Sequence, residues 1–280
     1  MKDIKIYAFA DEASPQIEKQ IIALNRNGLN GLEMRNVDGV NISDITLEKA
    51  KEVKSKLSSN GLITWSIGSP IGKIDIEKDN FEAHKDKLKH TLEIANILDA
   101  KYIRMFSFFI PKDKVASDYK NEVIDRLGVM YDISKDSGVS LIHENEKGIY
   151  GDVPERCFEI HKALPEIGGV FDPANYVQCG VDTLTAWDML KDYILYMHIK
   201  DAKSDGSVVP AGQGEGNVKE IVSQFIAQGG NAFTIEPHLK IFDGFSALEQ
   251  EGEKSVISEC SYPDSDSAFD AACKAFKELL

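Results

Sequence analysis

The sequence has few cysteines and none of the cysteine patterns that usually hold zinc or form a disulfide framework. The cysteines are Cys157, Cys179, Cys260 and Cys273, and no two of them form a C-x-x-C pair. We therefore expect free thiols and a reducing compartment, for which the cytoplasm is the simplest assignment. The N-terminal segment lacks the apolar core of a signal peptide. No apolar run approaches the roughly 18 residues that a membrane span needs.

Positive charge is also scarce. The chain has 32 Lys and Arg against 46 Asp and Glu, which gives a formal net charge of −14. Since nucleic-acid affinity comes largely from basic side chains at phosphates, we expect no nucleic-acid partner. The lack of a long apolar run likewise predicts no membrane partner. Small polar substrates and divalent cations remain open as ligands.

No glycine motif for a dinucleotide follows an early strand, and the glycine-rich segment 212–216 lacks the Lys-Ser/Thr of a phosphate-binding loop. What is present is an alternation of short apolar runs with longer helical patterns. The predicted strands begin near residues 4, 31, 62, 102, 140, 169, 194 and 233, and a last helix is predicted over Ser267–Leu280. Runs without polar alternation suit parallel strands that are buried on both faces. The pattern predicts an α/β fold, a (β/α)₈ TIM barrel that forms a single domain over residues 1–280.

Each of the last four predicted strands ends on an ionisable residue. In chain order these residues are Glu144, Asp172, His198 and Glu236. In a barrel the carboxyl ends of the strands converge on one face, where active sites lie. Any one of these side chains could equally serve a salt bridge or a helix cap. Together, three carboxylates and one imidazole predict a site for one divalent ion such as Mn²⁺, Mg²⁺, Co²⁺ or Zn²⁺.

Other polar and aromatic residues near strand ends are candidates for substrate contacts. Arg35 could grip a carboxylate or phosphate with its planar guanidinium, or form a salt bridge with Glu33 or Asp38. Trp65 could form a wall against a sugar, or simply fill the barrel. The expected substrate-binding set is Glu33, Arg35, Trp65, Arg104, Asn175, Lys200 and His238.

Two further residues beside the metal candidates have weaker functional signals. His143 precedes Glu144 and should point to the opposite side of its strand, toward the helices. Asp201 could orient His198 or bond a loop, since metal-binding histidines usually have such partners.

Several segments in this order resemble the xylose isomerase-like barrels, also called the sugar phosphate isomerase/epimerase superfamily. They span nearly the whole chain and read GLEMRNVDGVN, SIGSPIGKI, IRMFSFF, HENEKGIYGD, FDPANY, HIKDA, GQGEGNV and IEPHL. The resemblance implies a metal-dependent isomerase or 3-epimerase of a small ketose or polyol derivative, with the four strand-end residues as ligands. In the ketose 3-epimerases two glutamates also act as acid and base around a metal-stabilised enediolate. They correspond here to Glu144 and Glu236. Dimers and tetramers are common among the relatives, so a homo-oligomer is one expectation.

The chain departs from the epimerases at Asn175, where their motif has a histidine three residues after the aspartate. The reaction therefore stays open between isomerisation, epimerisation and dehydration of a keto-inositol-type substrate. A non-catalytic sugar-binding barrel is a third class, but a binding module needs no acid–base pair of glutamates. Endonuclease IV shares the barrel, yet the positions around Gly68 and Asn175 lack its additional histidine ligands.

Overall fold

The barrel strands are all parallel, and their order around the barrel follows the chain. The structure is a computed structural model that describes residues 3–242 and 262–280. Within those ranges, the strands of the barrel are β1 (Lys5–Ala8), β2 (Gly31–Met34), β3 (Ile63–Gly68), β4 (Tyr102–Met105), β5 (Ser140–Glu144), β6 (Gly168–Phe171), β7 (Ile194–Ile199) and β8 (Ala232–Ile235). β1 pairs with β8 and closes the barrel, from Lys5 opposite Ala232 to Ala8 opposite Ile235. The predicted (β/α)₈ barrel is confirmed.

The helices surround the strands and alternate with them along the chain. Those of the described residues are α1 (Ile17–Arg26), α2 (Leu47–Ser59), α3 (Phe81–Ile97), α4 (Lys120–Ser134), α5 (Pro154–Ala163), α6 (Pro173–Gln178), α7 (Thr183–Leu190), α8 (Val218–Ala227) and α9 (Ser265–Lys277). The short helix α6 was not predicted. Its start signals were nevertheless present, because Asp172 caps the helix by accepting from the backbone of Asn175, and Pro173 takes the first helical position.

An aromatic layer fills the barrel interior near the start of the strands. Tyr7, Tyr102 and Tyr196 lie there with Trp65 packed against them. Trp65 stacks on Tyr7, with ring centroids 4.8 Å apart and nearly parallel planes. Trp65 thus packs among the aromatic residues of the barrel interior, and its contact with a substrate stays a prediction. This layer forms a floor below the strand ends.

Outside the barrel interior, the side chains of the strands pack against the helices. His143 points this way, as strand alternation predicts, with Nε2 2.9 Å from Ser107 Oγ and its ring against His161 of α5. Cys157, Cys179 and Cys273 are free thiols, and Cys260 lies outside the described residues. Among the residues that the structure describes, no helix is both long and apolar enough to cross a membrane.

His84 on α3 makes stability depend on pH. Its Nε2 accepts a hydrogen bond of 2.7 Å from the backbone N–H of Gly72, and burial lowers the pKa of His84 from 6.5 to about 4. The unfolded chain therefore takes up a proton near pH 6.5, whereas the folded protein resists until near pH 4. The stability that neutral His84 contributes is fully present above pH 6.5, the pKa in the unfolded chain. About 3 kcal/mol of it is lost as the pH falls from there to the folded-state pKa of about 4.

Urea unfolding at about pH 7 and about pH 4.5 measures this loss. His84→Gln keeps an acceptor for Gly72 but cannot take up the proton, so its stability should fall less steeply with acid. His90→Gln, on the same helix, is the matched control and should follow the wild type. Parallel losses in the wild type and His84→Gln would contradict this account of His84.

Candidate metal centre

The four strand-end candidates come together at the carboxyl-terminal face of the barrel. They are Glu144 at the end of β5, Asp172 directly after β6, His198 in β7 and Glu236 directly after β8. All four are buried, and one ligand atom from each lies within 4.8 Å of the others. Neighbouring parallel strands bring them together because consecutive strand ends meet at one edge. The cluster could therefore hold a metal ion.

The donor atoms fit a divalent cation of the kind that carboxylates and imidazole bind. His198 Nδ1 lies 2.8 Å from Glu144 Oε1 and 3.8 Å from Glu236 Oε2. Asp172 Oδ2 is buried, and no described residue donates a hydrogen bond to it, although Lys200 Nζ lies 3.0 Å away as an ion-pair partner. A buried carboxylate oxygen that accepts no hydrogen bond is a suitable ligand, since burial of such a group is costly and a cation offsets the cost.

Protein cations flank the cluster. Lys200 Nζ donates to Glu236 Oε2 at 2.9 Å, and Arg104 Nε lies 3.1 Å from Glu144 Oε2. Burial opposes ionisation of Glu236, but Lys200 and the other nearby cationic groups hold its pKa well below the usual range. Burial raises the pKa of Asp172 to about 7, against the attraction of Lys200. The pKa values of the two carboxylates that share Lys200 are thus shifted in opposite directions.

Arg35 is almost fully buried and serves the carboxylates around the cluster. Its Nε and Nη2 donate to Asp11 at 2.9 and 3.1 Å, its Nη2 to Glu12 at 3.0 Å, and its Nη1 to Glu236 at 3.3 Å. Asp11 and Glu12 were missed in the sequence, although they come shortly after β1. The strand-end rule that identified the metal candidates would have found them there.

Among the described residues, Arg35 forms neither of the two salt bridges that the sequence suggested as alternatives to a substrate contact. Asp38 pairs with Lys49 at 2.7 Å, and no ion pair joins Arg35 to Glu33 in the described part of the chain. The guanidinium instead lies between the rings of Phe9 and Phe242, 4.5 and 4.8 Å from their centroids. Closure of the barrel explains the difference, because it places β1 between β2 and β8.

Glu33 lies under the cluster and is fully buried. Its Oε2 is 3.0 Å from His198 Nε2, and its Oε1 accepts from the Tyr196 hydroxyl at 3.1 Å. Arg104 Nε lies 3.6 Å from Glu33 Oε1, and Arg104 Nη1 donates to the carbonyl of Ser69 at 3.0 Å. Glu33 and Arg104, both in the expected substrate-binding set, thus contact the candidate ligands themselves.

Asn175 contacts two of the candidate ligands, Asp172 and Glu144, and so links the ends of β6 and β5. Its backbone N–H donates to Asp172 Oδ1 at 2.9 Å, and its Nδ2 lies 3.4 Å from Glu144 Oε1. The same Nδ2 donates to the carbonyl of Asn145 at 2.9 Å. Asn145 in turn exchanges two hydrogen bonds with the backbone of Asp172, at 3.0 and 2.9 Å. Asn145 was also missed, although it directly follows Glu144.

His238 has a left-handed backbone, with φ of 45°, which is uncommon outside glycine. Its backbone N–H donates to Glu12 Oε2 at 2.6 Å, and its Nδ1 lies 3.3 Å from Glu12 Oε1 and 3.6 Å from Glu236 Oε1. Burial lowers the pKa of His238 well below its usual value and raises that of Glu12 to about 8. These three residues form a second group that could hold a metal, but Arg35 already contacts both of its carboxylates.

Asp201 organises the glycine-rich loop after β7. Its carboxylate accepts from the backbone N–H groups of Ala202, Gly212, Gly214 and Gly216, each at 2.9 Å. Of the two roles considered for Asp201, the structure gives it the bond to a loop. The nest of glycine amides is therefore filled by a side chain of the protein itself.

Gly214→Ala should lower the free energy of unfolding by about 1–3 kcal/mol, because the new methyl group overfills this loop. A Cβ at Gly214 would lie 2.3 Å from Asp201 Oδ1 and 2.4 Å from the carbonyl of Ala202. Gly128→Ala on α4 is the matched control, since the same added carbon finds ordinary space there. Equal urea midpoints for the two variants would show that the loop accommodates the methyl group without loss of stability, and would contradict the prediction.

The sequence model of the family described as xylose isomerase-like TIM barrel matches residues 21–256. The chain belongs to this family. The closed barrel of this xylose isomerase-like chain agrees with the fold that the family's description names. A search of curated proteins found no match to the sequence.

Solved structures of the same fold cover almost the whole chain. The IolI protein with a bound zinc atom has a TM-score of 0.74 and 16% identity, covering 99% of this chain and 98% of its own. D-allulose 3-epimerase from Methylomonas sp. has a TM-score of 0.74 and 15% identity, covering 100% and 99%. The probable 3-DHS dehydratase AsbF from Bacillus anthracis has a TM-score of 0.73 and 15% identity, covering 97% and 98%. At these identities the likeness shows the fold.

Proposed function

We propose that this xylose isomerase-like barrel is a divalent-metal-dependent isomerase or epimerase of a small ketose or polyol derivative. The observation that carries the proposal is the buried cluster of Glu144, Asp172, His198 and Glu236, with its donor atoms within 4.8 Å of one another. Mn²⁺, Mg²⁺, Co²⁺ and Zn²⁺ all suit this donor set. When bound, such an ion would draw electron density from a substrate carbonyl and offset the negative charge that develops on its oxygen.

Glu144 and Glu236 are the proposed acid–base pair. Glu144 ends β5 and Glu236 directly follows β8, with β6 and β7 between these strands in the barrel, so their carboxylates approach the cluster from two sides. Epimerisation requires this arrangement, because one group removes a proton from carbon and another returns a proton on the opposite face. Lys200 and Arg35 keep Glu236 ionised, which is the state that a base needs.

The neighbouring side chains hold this pair in place. Arg104 and Asn175 contact Glu144, while Lys200 and Arg35 contact Glu236. A catalytic carboxylate works efficiently only when its rotamer is fixed by such partners. The proposed contacts for substrate hydroxyl groups are Lys200 and His238. Lys200 lies beside two of the candidate ligands, Asp172 and Glu236.

A panel of unphosphorylated and phosphorylated ketoses, assayed with added Mn²⁺ in D₂O, tests the proposal. An epimerase would return product with solvent deuterium on the carbon whose configuration changed, and chelation of the ion would stop the exchange. A protein that binds no divalent ion, or that turns over its substrate equally well after chelation, would contradict the proposal.

Dehydration of a keto-inositol-type substrate is the second candidate. Lys200 favours it, since its ammonium lies 2.9 Å from Glu236 Oε2 and 3.0 Å from Asp172 Oδ2. Elimination of water is assisted by a cation that stabilises the departing hydroxyl group, and the Lys200 ammonium is such a cation beside a carboxylate base. The same assay distinguishes the two reactions, because dehydration yields an unsaturated product that absorbs in the ultraviolet.

A further inference from the structure

Glu33 is fully buried and carries a carboxylate into the barrel interior. Its side chain is fully buried on β2, below the candidate ligands. Burying an ionised carboxylate is costly unless it is paired and hydrogen-bonded. The partners of Glu33 therefore indicate what the residue is for.

The two nitrogens of His198 face different neighbours. Nδ1 faces the cluster, 2.8 Å from Glu144 Oε1 and 3.8 Å from Glu236 Oε2. Nε2 faces away from the cluster, 3.0 Å from Glu33 Oε2. A divalent ion held among the four candidate ligands can therefore reach Nδ1, which leaves Nε2 to carry a hydrogen.

The carboxylate of Glu33 is itself held in place. Its second oxygen accepts from the Tyr196 hydroxyl at 3.1 Å, and that hydroxyl lies 3.1 Å from Ser66 Oγ. Arg104 Nε lies 3.6 Å from the same oxygen of Glu33 and 3.1 Å from Glu144 Oε2. The acceptor for the Nε2 hydrogen is thus fixed by strands β3, β4 and β7 together.

The geometry points to Glu33 as a positioning residue for the metal centre, which accepts the Nε2 hydrogen of His198 and so presents Nδ1 to the ion. A carboxylate partner of this kind fixes the tautomer and the ring orientation and makes the imidazole a stronger ligand. The edge of the Phe9 ring, with its centroid 5.2 Å from that of His198, restrains the ring from another side. This inference rests on the metal binding of the proposed function.

Glu33→Gln tests it, with Mn²⁺ titrated calorimetrically into the purified, metal-free protein. The amide keeps the size of the side chain but loses the charge and can turn a donor toward Nε2. Mn²⁺ affinity should fall about 10- to 100-fold. Glu146→Gln is the matched control for loss of one carboxylate charge near the cluster, because Glu146 pairs with Lys73 at 2.9 Å rather than with a candidate ligand.

A second measurement uses the unmodified chain, so that it does not depend on whether Glu33→Gln folds. Protein with ¹⁵N-labelled histidine is loaded with Zn²⁺, and the ring resonances of its six histidines are recorded. We expect one ring with Nδ1 on the metal and a hydrogen-bonded, slowly exchanging Nε2–H. Glu33→Asp, which retains the carboxylate, should bind Mn²⁺ more tightly than Glu33→Gln.

The outcomes separate the inference from the proposed function. If the unmodified protein binds neither ion, the proposed function fails and the inference fails with it. If it binds and Glu33→Gln binds equally well, or if Nε2 proves to be the metal-bound nitrogen, the inference alone is overturned. A weaker Glu33→Gln beside an unchanged Glu146→Gln supports it.

Discussion

Glu236→Gln is expected to lower the turnover of a responsive ketose by at least about 10³-fold, since removal of a proton-transfer group alone costs about 10²- to 10⁴-fold. The substitution also removes a charged ligand candidate from the cluster. Lys200 and Arg35 each lose one carboxylate partner, at 2.9 and 3.3 Å. Steady-state kinetics on the substrate found in the panel, at saturating Mn²⁺, give the size of the effect.

Glu144→Gln should show a loss of similar size, because epimerisation needs one group on each face of the carbon. Glu146→Gln removes a carboxylate near the cluster without touching a candidate ligand and should leave turnover close to that of the wild type. Full activity in both the Glu144 and the Glu236 variants would rule out the two-glutamate mechanism. Single-turnover measurements distinguish lost proton transfer from weaker metal binding.

Arg35→Met should lower the free energy of unfolding by about 3–5 kcal/mol, which is the usual cost of removing one partner from a buried ion-pair network. Asp11, Glu12 and Glu236 would then lose their shared cation. The Arg35 side chain is 1% exposed, so water cannot replace it. Urea unfolding of the metal-free protein provides the measurement.

Arg26→Met is the matched control for the same chemical change at the surface. Arg26 pairs with Asp266 and Asp270 at 2.7 and 2.8 Å, but its side chain is 39% exposed. An exposed ion pair is worth roughly 0–1 kcal/mol, so this variant should be nearly as stable as the wild type. If the two variants unfolded at the same urea concentration, the structural role given to Arg35 would be wrong.

The strands could be predicted closely because their signal is local. The starts of β2, β4, β5 and β7 agree with the sequence prediction, and those of the other four barrel strands differ by one residue. Apolar runs without alternation fix buried parallel strands. Helix ends were less accurate, as with α9, which begins at Ser265 because Asp264 forms a capping box with Ser267.

The four candidate ligands could be predicted for a related reason. Convergence of consecutive strand ends follows from the topology, and no detail of side-chain rotamers is needed to bring those residues together. The position of Arg35 could not be obtained in this way. Its partners Asp11 and Glu236 are joined only when β1 pairs with β8, a contact between the two ends of the chain.

The contact of Glu33 with His198 could likewise not be predicted from the sequence pattern. Strand alternation tells which residues face the barrel interior, but not how deep a side chain lies along the barrel axis. Register decides this depth, and the irregular pairing of β2 with β3 between Leu32 and Glu33 sets it here. The 3.0 Å contact between Glu33 Oε2 and His198 Nε2 therefore depends on the register of the folded barrel.

Anomalous diffraction from crystals of the protein soaked in Mn²⁺ tests the central claim most directly. We expect one peak per chain, with Glu144, Asp172, His198 and Glu236 around it and Nδ1 as the nitrogen ligand. A peak held instead by Glu12, Glu236 and His238, or no peak at the barrel face, would contradict it.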